Sequence, residues 1–269
     1  MRRTAALKVL MIAAVLTAGT AHGQQSVQVN FSVAPPPLAG PAFEMGVTEL
    51  KFRAAYFTLD DTAADIAGGG LDGVVRTPFS DNLAVTMQLG LFGMKGSMDT
   101  LSEFAGLASV THSDLSIGEL LLGANAEVQP FRGGRVTTTL FAGPALTLLF
   151  GNIKSTWAPA GPLVAASDSG SVFSYLYGVQ GGGRLGVRLG NFHVGGFGGI
   201  LSNQGRSTIS WSALGRSAGN IPAATVVTYG LDLVYAPWDL TVSALRQRTE
   251  KKDQNQGGMS TIYQLSWTF

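Results

Sequence analysis

Few residues in this chain have the types and spacing for covalent or metal chemistry. His112-Ser113-Asp114 brings an imidazole, a hydroxyl and a carboxylate together, and His193 lies further on. A nucleophile and its base must meet within hydrogen-bond reach. In extended chain, adjacent side chains point to opposite faces, so His112 and Ser113 do not pair, whereas His112 and Asp114 share a face. Gly181-Gly182-Gly183-Arg184-Leu185-Gly186 has the spacing Gly-x-Gly-x-x-Gly. A phosphate cradle of that kind needs a strand before it and a helix after it. Here the extended pattern runs on through Val187 and Leu189, so the glycines are expected to allow strand curvature or close packing. The absence of cysteine excludes disulfides, thiolate metal sites and a cysteine nucleophile. Asp60, Asp61 and Asp65 lack the central glycine of a calcium loop. No catalytic residue, cofactor or metal ligand is therefore assigned.

The informative polar residues are spaced two apart. Glu49, Lys51 and Arg53 form one set. Glu119, Asn125 and Glu127 form a second, Gln180, Arg184 and Arg188 a third, and Asp232 stands in a fourth segment. Apolar residues occupy the alternate positions: Leu50, Phe52, Ala54 and Tyr56 against the first set, and Tyr229, Leu231, Leu233 and Tyr235 around Asp232. Period-two alternation means strands with one apolar and one polar or small face. The charges then fall on the inner face, where acids and bases in comparable numbers predict either a paired network filling the interior or the lining of a charged constriction. Inner glycines such as Gly90, Gly123, Gly182 and Gly186 are expected to free some space.

Residues 1–23 have the positive start, short apolar stretch and small residues of a cleaved signal peptide, with the cut before Gln24. Its removal takes Arg2, Arg3 and Lys8 and leaves 15 basic against 17 acidic side chains, a balance that gives no basic patch for nucleic acid. Residues 24–42, with Pro35-Pro36-Pro37, read as a Pro-rich tail too short to fold alone. Mean hydropathy of +0.23 lies between soluble proteins and helical membrane proteins. No later apolar run reaches the length of a spanning helix, so a membrane fold must be a closed barrel.

Connections follow the same plan. Pro78-Phe79, Pro130-Phe131, Pro237-Trp238 and Gly190-Asn191-Phe192 each set an aromatic beside a tight polar turn, as an aromatic girdle over short periplasmic turns requires. Polar stretches at 60–71, 97–113, 156–170, 204–223 and 251–258 read as long outer loops. Ten strands lie between them, at 47–59, 72–79, 83–96, 114–130, 135–152, 172–189, 192–204, 224–237, 240–249 and 260–269. The 72–79 strand is the shortest, and eight or twelve strands are the alternative counts.

The final segment, Ser260 to Phe269, ends in an aromatic with Tyr263, Leu265 and Trp267 alternating upstream. It resembles the signal read by the barrel-assembly machinery, and residues 43–269 resemble the small bacterial outer-membrane β-barrel family. The resemblance implies an all-β, transmembrane, antiparallel up-and-down barrel in the outer membrane. Its implied partners are membrane lipid and lipopolysaccharide, the assembly machinery during biogenesis, and a surface ligand at the outer loops. The family carries several activities, so fold does not name function. The leading expectation is a non-enzymatic structural or surface-interacting protein with a largely filled polar lumen. A narrow pore is the alternative and an outer-membrane hydrolase the third reading. Omptin-type proteases share the strand number, but their activity needs acidic residues and a histidine at the outer rim. The expected network or lining is Glu49, Lys51, Arg53, Glu119, Glu127, Arg184, Arg188 and Asp232.

Overall fold

A computed structural model describes residues 47–61, 64–104, 107–133, 135–159, 166–213, 215–251 and 259–268. The signal peptide, the Pro-rich tail and Phe269 lie outside them. The long strands are β1 (Glu49–Asp61), β2 (Ala64–Pro78), β3 (Leu83–Phe104), β4 (Leu107–Val128), β6 (Val136–Pro159), β7 (Ala166–Leu189), β8 (Phe192–Trp211), β9 (Gly215–Tyr235), β10 (Leu240–Lys251) and β11 (Met259–Thr268). A two-residue strand, β5 (Arg132–Gly133), pairs with the start of β6.

Each long strand pairs antiparallel with its chain neighbours. The ring closes where β1 meets β11, from Lys51↔Thr268 to Asp60↔Met259. β4 pairs directly with β6. The architecture is thus a closed, ten-stranded up-and-down barrel, with the expected strand number. Closure leaves no unpaired sheet edge. One row of paired residues can be followed right round the wall: Phe192, Tyr235, Leu240, Trp267, Phe52, Gly73, Leu89, Leu122, Leu146, Tyr177, Gln204. It returns to β8 twelve residues along, at 204 rather than 192. That stagger obliges the strands to tilt, as in barrels generally by about 35–45°.

The tight turns gather at one end, here the proximal end. Gly190 has φ 63°, which a residue without Cβ adopts at no steric cost, and it closes the Leu189↔Phe192 hairpin. The Ser80 hydroxyl accepts the Leu83 amide at 3.1 Å. Phe79, Phe131 and Trp238 are each about two-thirds exposed there. Tyr235 packs against Phe192 and, edge-on, against Trp238, with centroids 5.1 and 5.4 Å apart.

At the distal end the structure corrects the expected loops. Three of the polar stretches are largely strand: β3 and β4 stay paired to Phe104↔Leu107, β6 and β7 to Trp157↔Ala166, and β8 and β9 to Trp211↔Gly215. β2 begins at Ala64, eight residues before the expected start, and pairs with β1 as far as Asp61↔Ala64. The polarity of these stretches marks an outer face turned to solvent, while Ser and Thr remain compatible with a ladder. β6 and β7 have 24 residues each, roughly twice the 9–11 a membrane strand needs. Their distal halves form a collar beyond the apolar belt. A bulge in β9 at Pro222 and Ala223, between Asn203↔Ala224 and Gly205↔Ile221, falls near that transition. Proline is tolerated there because a bulge leaves an amide unpaired.

Most outward positions below the collar are apolar or uncharged, with Arg246 of β10, exposed and paired with Tyr229, as an exception. Leu71, Met87, Val179 and Leu231 are all more than 60% exposed. A Lys or Arg at mid-belt would cost about 2–4 kcal/mol in lipid. Because the chain has no cysteine, introduced thiols report the boundary. In proteoliposomes, cysteines at Leu89 and Val179 are expected to resist a membrane-impermeant maleimide, and cysteines at Asp99 and Lys154 to react. Equal labelling at all four would contradict the belt.

Candidate functional site: the barrel interior

The inward side chains form two layers. In the proximal layer, charged and amide side chains satisfy one another. Arg53 grips Asp72 through both carboxylate oxygens, with its Nε 2.7 Å from Oδ1, and Gln88 donates to the same carboxylate. Arg76 is fully buried and donates to Glu127 at 2.9 Å and to Glu49 at 3.2 Å. Thr86 completes Glu127 at 3.0 Å. Arg184 makes a two-pronged contact with Asp232, at 2.7 and 2.8 Å. Gln180 donates to Asn125 at 3.0 Å. Lys51 is buried in the same layer. Among the described residues, four cations (Lys51, Arg53, Arg76, Arg184) thus accompany four carboxylates (Glu49, Asp72, Glu127, Asp232). Paired, two-pronged geometry is what allows charges to leave water.

Above it lies a layer with a large apolar share, among buried Thr147, Ser174, Asn203 and Gln247, where a polar lumen was expected. Phe57 of β1, Ile66 of β2, Phe92 and Met94 of β3, Leu115 and Leu121 of β4, Phe197 of β8 and Leu245 of β10 belong to one buried cluster. Followed round the staggered wall, Phe57, Phe92 and Leu121 stand at one height with Leu201 of β8 and Val226 of β9, which belong to a second buried cluster. All five are at most 5% exposed, so they fill the lumen there as a septum; Phe197 stands lower, opposite Arg184. The inner glycines do not leave free space. A Cβ at Gly90 would fall 2.6 Å from the Phe92 ring, at Gly182 2.9 Å from the Phe141 ring, and at Gly186 2.8 Å from Arg184. One at Gly123 would meet Gln180 at 3.3 Å. Each glycine admits a larger neighbour.

The structure therefore brings Glu49, Lys51, Arg53, Glu127, Arg184 and Asp232 into one layer. Arg188 is not in it: this residue is exposed at the proximal mouth, 3.4 Å from the Gly190 carbonyl. Glu119 is fully buried but belongs to the septum level, opposite Phe92 on β3 and Leu149 on β6. Asp72 and Arg76 are partners that the sequence reading passed over. The alternation Asp72-Val74-Arg76 on buried positions carries the signal, but it fell in the shortest predicted strand.

His112 lies on the collar's outer wall, away from the lumen. Its Nδ1 is 2.6 Å from Asp99 and its Nε2 3.6 Å from Asp114, and Lys154 stands opposite Asp114. The hydrogen bond to Asp99 holds the imidazole above its ordinary pKa. Ser113 points inward, buried, 2.8 Å from Ser155. The adjacent histidine and serine thus occupy opposite faces. Among the described residues no cluster of three His, Asp or Glu suits a metal ion.

Two outcomes follow. Arg184→Ala should lower unfolding stability in micelles by about 3–5 kcal/mol, because Asp232 is left buried and unpaired. A double replacement, R184L with D232L, should recover most of that loss. A negligible effect of R184A would show the layer to be hydrated. NMR titration of His112 should give a midpoint above the usual range that falls in Asp99→Asn. The contact's contribution is present at acid pH and lost as pH rises through that midpoint.

No protein-family model and no curated protein matches the sequence. Among solved structures the chain is similar to the outer membrane protease OmpT of Escherichia coli. The TM-score is 0.53 at 10% identity, covering 82% of this chain and 96% of that one. Lower scores relate it to OprG of Pseudomonas aeruginosa (0.43; 13% identity; 86% and 98% covered). A major outer membrane protein of Thermus thermophilus also matches (0.37; 12%; 82% and 99%). At such identities the likeness is one of fold: this chain has the architecture of bacterial outer-membrane β-barrel proteins.

Proposed function

We propose that this protein is an integral, non-enzymatic barrel of the bacterial outer membrane, structural or surface-interacting, whose lumen is closed. Residues 1–23 act as the cleaved signal, the tight-turn end faces the periplasm, and the collar projects outward. Tyr263, Leu265, Trp267 and Phe269 serve as the assembly signal. Membrane lipid and lipopolysaccharide surround the belt.

The observation that carries this reading is the septum. An open pore needs a continuous wet path, and here aromatic and aliphatic side chains cross the lumen above a layer of charges that already pair with one another. Eight-stranded barrels fill with side chains, and ten strands widen the interior only modestly. Aromatic rings standing over inner glycines take up that extra width. The non-enzymatic reading is supported by the one described His–Asp cluster lying on the outer wall, with Ser113 turned to the opposite face. A base whose neighbouring hydroxyl lies on the opposite face lacks that nucleophile in reach. With the lumen closed, the surface available to partners is the collar.

Residues 24–269, refolded and inserted into planar bilayers near neutral pH, should give no reproducible conductance steps. A heat-dependent shift on an unboiled gel would establish that the barrel formed. Steady steps from a protein showing that shift would overturn the closed-lumen reading and make Lys51, Arg53 and Arg184 selectivity candidates.

A further inference from the structure

Glu119 stands apart from every other interior carboxylate described. It is fully buried, and neither of its oxygens has a hydrogen-bond partner. It projects from β4 at the level of the septum, between Leu121 and Leu115 on its own strand and across from Phe92 on β3. The described inner positions of both flanking strands, β3 and β6, carry no titratable side chain. Among the described residues, the other titratable side chains at inner positions are Glu49, Lys51 and Arg53 on β1, Asp72 and Arg76 on β2, and Glu127 on β4 itself. Arg184, Arg188 at the proximal mouth and, at the distal end, Asp168 stand on β7, His193 on β8 and Asp232 on β9. The cations of the proximal layer are matched by its four carboxylates, so that layer offers Glu119 no counter-charge.

A buried carboxyl group with no partner is tolerated as the neutral acid and strongly disfavoured as the anion. The anion would need water, and the septum provides none while it stays closed. Loss of a proton at this one position therefore opposes closure of the plug, whereas a glutamine of the same shape would not.

We propose that Glu119 makes the barrel a proton-gated conduit for protons and small monovalent cations. With Glu119 protonated, the septum seals the lumen. When the proton leaves to solvent, the carboxylate draws water into the septum and lines the resulting path with negative charge. A ring or point of carboxylate favours cations in a narrow passage. This rests on the closed-lumen reading, to which it adds a second, open state.

The test compares wild type, Glu119→Gln and Glu119→Leu in planar bilayers bathed at about pH 5 and about pH 10, bracketing the range over which carboxyl groups titrate in proteins. The heat-dependent gel shift is checked at both values. Wild type should be closed in the acid bath and conduct in the alkaline bath. The open-probability gain should be roughly tenfold or more, the size expected when an anion replaces a neutral acid without a partner, with a reversal potential showing cation selectivity. Both variants should stay closed throughout. An infrared band of a protonated carboxyl, present in wild type and missing from Glu119→Gln, should fade over the pH range in which conductance rises. It gives a second readout should a variant fold poorly. A wild type closed in both baths, or a glutamine variant that opens like wild type, would overturn the gate while leaving the closed lumen standing. Conduction by wild type already in the acid bath would overturn both.

Discussion

Everything in this molecule depends on one constraint: the sheet must close on itself. A backbone in lipid has no water to satisfy its amides and carbonyls, so every strand needs two neighbours. The pairing of β1 with β11 supplies the last of these, over ten residue pairs. Once the ring is closed with a twelve-residue stagger, the tilt of the strands and the width of the interior are no longer free. Which side chains meet across the lumen follows from that width and that stagger.

The interior answers the constraint in two ways. Toward the tight turns, Arg53–Asp72, Arg76–Glu127 and Arg184–Asp232 bury charge as matched pairs. Such pairs add little net stability over apolar packing, but they are costly to break. They also fix register. A one-residue slip of β1 would turn Lys51 and Arg53 toward lipid and Phe52 into the ionic layer. Further along, the septum excludes water with Phe57, Phe92 and Leu201. Gly90 is part of this layer as much as the rings are, because a methyl group there would collide with Phe92, and Gly182 makes room in the same way for Phe141 beside the ionic layer.

Outside, belt and collar divide the wall by solvent. Hydrogen-bonded strands continue through both, and only the outward residues change, from Leu, Val and Phe to Ser, Asp and Lys. This is why polarity misplaced the loops. Stretches such as 97–104, 107–113 and 166–170 lose their apolar face on leaving the membrane and keep their ladder. The exposed Asp99–His112–Asp114 group belongs to this collar, where titration changes surface charge without disturbing the barrel.

The strand period, the closed all-β class, the strand number, the aromatic turns at one end and most of the inward charges were legible in the order of residues. These are local properties: two-residue alternation and turn chemistry are written in adjacent positions and survive any arrangement of the rest. Asp72 and Arg76 were readable in principle, through the same alternation, but glycines at 68–70 and 73 obscured the strand that carries them. Only the folded barrel settles which acid meets which base, that Arg188 stays at the mouth while Glu119 lies in an apolar layer, and that the glycine spaces are occupied. Phe57, Phe92 and Leu201 are far apart in the chain, and closure with a particular stagger puts them at one height around one lumen.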